Sequence, residues 1–101
     1  MATTTELSQY IDRTLWAISA EADFLPELAE DWEEDPYNRA AWENEWDLLF
    51  MRLSDLDDAY RAGEMTAEQQ ERYQTLRTKL RELSPLFEQL RLPLPSIPLE
   101  P

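Results

Sequence analysis

With 101 residues, 22 acids against nine bases and a formal net charge of −13, the chain reads as one small, strongly acidic domain. It contains no cysteine and no histidine, which excludes disulfides, thiolate metal sites, the commonest general base and the commonest metal ligand. One glycine leaves no room for a phosphate-cradling glycine loop and argues against a sheet with tight turns, while 43% hydrophobic residues suffice for one modest core.

The start, Met1-Ala2-Thr3-Thr4-Thr5-Glu6, lacks the basic and apolar regions of a secretory leader. Thr3 and Glu6 instead have the spacing of a capping box. Leu7, Ile11, Leu15, Ile18 and Ala22 then recur at three- and four-residue intervals, which predicts a helix over about 4–22, with Tyr10 and Trp16 widening its apolar stripe. Pro26 is expected to interrupt it, because proline removes an interior hydrogen bond but is tolerated in a first turn. A short second helix over about 25–33 would turn Leu25, Leu28, Ala29 and Trp32 inward and Glu27, Glu30, Asp31, Glu33 and Glu34 outward. Acids at its C-terminal end oppose the helix dipole, so this helix is expected to fray.

Asp35-Pro36 signals a new start, with Asp as cap and Pro in the first helical position. Trp42, Trp46, Leu49, Leu53, Leu56 and Tyr60 form an unbroken heptad seam on a helix over about 36–62, which Gly63 closes. Thr66 and Gln69 spell another capping box. Tyr73, Leu76, Leu80, Leu83, Phe87 and Leu90 continue as a matching seam over about 66–91, in phase through Pro85, so a kink or a tight break there must keep one face buried. Four prolines within residues 92–101 favour an extended tail, whose Leu92, Leu94, Ile97 and Leu99 can lie back on the helices or whose P-x-x-P registers can dock in an aromatic groove.

The fold class is therefore all-α: an antiparallel helical hairpin (36–62 and 66–91), an N-terminal helix (4–22) and a short acidic helix (25–33) in one bundle over 1–91, with a Pro-rich tail at 92–101. Leu48, Phe50 and Met51 broaden the apolar surface beyond a two-helix contact, so the hairpin needs either the first helix or a second copy, a homodimer, to cover it. No apolar run approaches the ~20 residues of a membrane span, and a cytoplasmic location is expected.

Residues 21–58 carry fourteen acids against Arg39 and Arg52, net −12, while residues 59–101 are balanced. Such a segment repels phosphate, so no direct nucleic-acid binding is expected; a basic partner is favoured. The candidate partner-binding residues are Glu30, Asp31, Trp32, Glu33 and Glu34, with Trp32 expected to be partly exposed. Their plain alternative is a solvated face. A carboxylate metal site is a further reading, but the D-x-D-x-D-G spacing of a calcium loop is absent. Arg72, Arg77, Lys79 and Arg81 are expected to face the acids of the 36–62 helix, with Asp57 paired to Arg72 or Arg77. Neither a catalytic constellation nor a cofactor motif is found. The function expected is a protein–protein interaction module (adaptor, regulator or inhibitor). The alternatives are a nucleic-acid-mimicking inhibitor of a DNA-binding protein and a carboxylate-based metal-binding protein.

Overall fold

The computed structural model describes residues 4–32, 35–95 and 97. Among these it contains three helices and no strand: α1 (Thr4–Glu30), α2 (Pro36–Arg61) and α3 (Ala67–Gln89). The extents are 43 × 28 × 20 Å, about one long helix by two helix widths.

The first correction concerns Pro26. No break separates an N-terminal helix from a short acidic one; α1 runs through as a single helix of 27 residues. Pro26 forfeits the bond to the Ala22 carbonyl, a loss of ~3 kcal/mol if nothing compensates. The apolar phase of Ile11, Leu15, Ile18, Ala22 and Leu25 continues across the proline, and all five are buried. Burying a leucine stabilises by about 1.5–3 kcal/mol, and Leu25 and half-buried Leu28 both depend on the helix continuing. Pro26 itself lies on the exposed side. α3 likewise continues through Pro85, with Leu80 and Phe87 buried on either side, and Ser84 does not cap a new helix; its hydroxyl donates back to the Leu80 carbonyl at 3.2 Å.

Local chemistry sets the ends. The Asp35 carboxylate accepts from Tyr37 N at 2.8 Å, with Pro36 opening α2. Gly63, at φ +72°, stops it, while Glu64 N reaches back to the Ala59 carbonyl. Thr66 and Gln69 exchange bonds at 3.1 and 2.9 Å to open α3. α3 closes in the same way as α2, with Leu92 N on the Phe87 carbonyl, but the left-handed position is taken by Arg91, φ 57°. A side chain there costs about 1–2 kcal/mol. Beyond it Leu92 is buried and Ile97 lies against the core; Ser96 and residues 98–101 of the predicted tail lie outside the described residues.

Contacts fix the directions. Trp46 meets Phe87 and Tyr60 meets Tyr73, so α2 and α3 run antiparallel. Tyr10 reaches Asp55 and Phe24 meets Trp42, so α1 opposes α2. Ser8 meets Gln69 and Asp23 meets Lys79, so α1 runs parallel to α3. The α2–α3 seam is aromatic: Trp46 sits edge-on to Phe87 at 4.8 Å and beside Phe50 at 5.3 Å. Those rings hold the two backbones apart, and the smaller apolar stripe of α1 brings its backbone closest to α3. The buried Trp46 Nε1 meets no acceptor among the described residues, a cost of about 1–3 kcal/mol set against the ring's large buried area.

Tyr10 and Trp16 do not widen the buried stripe as expected. Trp16 is 69% exposed and Tyr10 39%, because Ile11, Leu15 and Ile18 already fill the face that α1 presents inward. Leu48 and Met51 are also exposed, whereas Phe50 joins the core.

Candidate functional site

The predicted partner-binding residues fall at the corner between α1 and α2. Glu30 is the last residue of α1 and is exposed; Asp31 follows in the turn and is exposed. Trp32 is half-buried and packs against the core, with its backbone N–H donating to the Ala29 carbonyl at 3.4 Å. Glu33 and Glu34 lie outside the described residues. The structure thus places Glu30, Asp31 and Trp32 together.

Two further acids border this corner, Glu27 one turn earlier and the capping Asp35 after it, both exposed. The last turn of α1 contains no basic residue, so the carboxylates reinforce the negative end of the helix dipole. Deeper along the α1–α2 seam, burial pushes the Glu21 carboxyl above its ordinary value, and the facing Glu45 charge pushes it the same way. Sequence reasoning did not mark Tyr37, the most exposed aromatic at 87%, or Phe24, which is 43% exposed and rests on Trp42 at 6.1 Å. For Tyr37 the available signal was its place in the first turn of α2, immediately after the capping pair. Among the described residues no three acidic side chains are gathered as a metal ion would require.

Two of the basic residues of α3 face α1 and not α2. Lys79 pairs with Asp23 of α1 at 2.7 Å, and Arg72 with Asp12 of α1 at 3.4 Å. Arg77 lies over the Tyr73 ring, 5.7 Å from its centre. The parallel α1–α3 contact brings those acids within reach. Asp57 pairs instead with Arg61, one turn along its own helix, at 2.7 Å, and accepts from the buried Tyr73 hydroxyl at 2.8 Å. Burial first, then the bond to Asp57 and its charge, hold the Tyr73 hydroxyl far above the ordinary tyrosine range. At the other end of the molecule, Gln69 donates to Ser8 O, Ser8 Oγ and Asp12 Oδ1 while completing its capping box.

Over the outer face of α1 runs an open depression of about 790 Å³, bordered by Tyr10, Arg13 and Trp16, by Arg52 of α2 and by Arg72 of α3. Each helix contributes one arginine to it.

Compared with known proteins, the chain matches no family model, no curated protein and no solved structure. Fold and surface together define an acid-rich chain with three helices among the described residues, none of them long and apolar enough to cross a membrane.

Proposed function

We propose that this chain is a small acidic helical protein–protein interaction module, an adaptor, regulator or inhibitor without catalytic activity, acting in the cytoplasm. It engages a basic surface of another protein through Glu30, Asp31, Trp32, Glu33 and Glu34. The helical hairpin of α2 and α3, covered by α1 and by its Pro-rich tail, serves as the frame that holds this corner out.

The observation that carries the reading is the corner itself: Glu27, Glu30, Asp31 and Asp35 exposed together, with no cation in the last turn of α1, beside a tryptophan anchored on the core. Clustered carboxylates speed encounter with a basic patch and fix its register, and a half-buried indole adds apolar contact at little entropic cost. The test is affinity capture with the wild type and with a variant carrying Glu30→Gln, Asp31→Asn, Glu33→Gln and Glu34→Gln. A partner held by the wild type and lost from the variant supports the proposal; a partner held equally by both overturns it.

A second reading, mimicry of nucleic acid, draws on α2, where Glu43, Asp47, Asp55 and Asp58 are exposed along one long helix. Mimicry alone demands that DNA and this chain exclude each other from a shared basic protein.

A further inference from the structure

Among the described residues the side chains of Arg52, Arg81 and Arg91 make no ion pair or hydrogen bond, and Arg13 donates only to the Gln9 carbonyl of its own helix, at 3.4 Å. What sets Arg13 and Arg52 apart is where they stand. Both border the depression over α1, and Arg72 reaches it from the far side, held by Asp12. Between them stand Trp16 and Tyr10, two of the exposed large aromatics. Arginine, tryptophan and tyrosine are the residues that dominate binding energy at protein interfaces. Arg13 and Arg52 are exposed and solvated, and the mostly exposed indole of Trp16 contributes little to the core, so all three are available to a ligand.

We propose that this depression is a second binding site, of opposite sign to the acidic corner, which takes a short carboxylate-bearing peptide segment of a partner protein. Carboxylates of the segment meet Arg13, Arg52 and Arg72, and an apolar or aromatic side chain lies on Trp16. Charge complementarity selects an acidic occupant, and planar guanidinium groups suit paired carboxylate oxygens. The width of the positive window selects a short one. Asp12 sits inside the border, Asp55 lies beside Tyr10 at 3.2 Å, and the exposed Glu71 adjoins Arg72. A long polyanion such as nucleic acid would run past the arginines into these acids and the net −12 of residues 21–58. The acidic corner cannot fill the site within its own chain: it lies at the far end of α1, more than a dozen residues, or about 20 Å of helix, from Trp16.

The test uses the full chain and a synthetic glutamate-rich peptide with one central phenylalanine, followed by the indole resonance of Trp16. The wild type should bind it, and more weakly as salt rises. Arg13→Gln with Arg52→Gln should weaken binding by roughly tenfold or more, since two charge-assisted contacts are lost. Neither side chain holds a carboxylate or is buried, so the fold should survive with only a small fall in melting temperature from the added net negative charge, which separates loss of binding from loss of fold. Trp16→Ala should weaken binding without altering the salt dependence. The proposal is overturned if the wild type ignores the peptide or the double arginine variant binds it equally well. It is also overturned if a single-stranded oligonucleotide of equal charge binds more tightly, or if the arginine-dependent signal is a second copy, seen as a mass that rises with concentration without peptide. Neutralising Glu30 and Asp31 should leave peptide binding intact, so failure here is distinct from failure at the acidic corner.

Discussion

Replacing Tyr73 by Phe tests how α2 and α3 are joined. The Tyr73 hydroxyl donates to Asp57 Oδ1 at 2.8 Å, Tyr73 is fully buried, and the Asp57 side chain is 10% exposed. The substitution keeps the ring against Tyr60 at 5.0 Å and beneath Arg77, so packing is held nearly constant. What is lost is one hydrogen bond to a charged acceptor, worth about 1.5–3 kcal/mol. Asp57 retains Arg61 at 2.7 Å, which places the loss nearer ~2 kcal/mol. For a domain of this size that is a fall in Tm of roughly 8–16 °C. Urea unfolding followed by helical circular dichroism at neutral pH reads it directly. Alkali supplies a second readout. The Tyr73 hydroxyl keeps its proton in the fold above the ordinary value of 10.0, while the unfolded chain releases it there. The folded state then binds more protons, so stability is complete below about pH 10 and declines as pH rises further. Tyr73→Phe should remove that part of the decline. A change below ~0.5 kcal/mol at neutral pH, with an unaltered alkaline limb, would refute the reasoning.

Glu21→Gln should raise the melting temperature at pH 7. The raised carboxyl of Glu21 means that the folded chain takes up its proton first, so the wild type should gain stability on acidification from neutral toward pH 4.5 and the variant should gain less. Arg91→Gly should stabilise by about 1 kcal/mol in urea unfolding, because glycine carries no steric penalty at φ 57°. Gln69→Ala should cost about 1–2 kcal/mol, since it removes the side-chain half of the α3 capping box and the donor to the Ser8 carbonyl, while Thr66 still caps the backbone N of residue 69 and Asp12 keeps Arg72. A loss under ~0.5 kcal/mol would show that the link between α1 and α3 is dispensable.

What could be read in advance was whatever short stretches of chain decide. Asp35-Pro36, Gly63 and the Thr66–Gln69 box fix helix ends from within a few residues, and the structure shows each in place. The leucine positions from Leu49 to Leu56 and from Leu76 to Leu80 follow a period set by the helix itself, and all are buried. Pro26 was misjudged because its local cost competes with the burial of Leu25, and that burial depends on α2 and α3 being present. The partners of Arg72 and Lys79 were misassigned for a related reason. Spacing along α3 says which face they share, but only the parallel run of α1 supplies Asp12 and Asp23. Of the acidic site, composition disclosed the charge and the neighbouring indole. The arginine depression was invisible because Arg13, Arg52 and Arg72 are far apart in sequence and no period links them.

The most direct test of the acidic corner is amide shift mapping of the full chain with a lysine-rich peptide at low salt. The account predicts that the largest shifts fall in residues 27–35 and on the Trp32 indole, that salt abolishes them, and that neutralising Glu30, Asp31, Glu33 and Glu34 removes them. Shifts spread evenly over the exposed acids of α2, or unchanged in the neutralised variant, would contradict it.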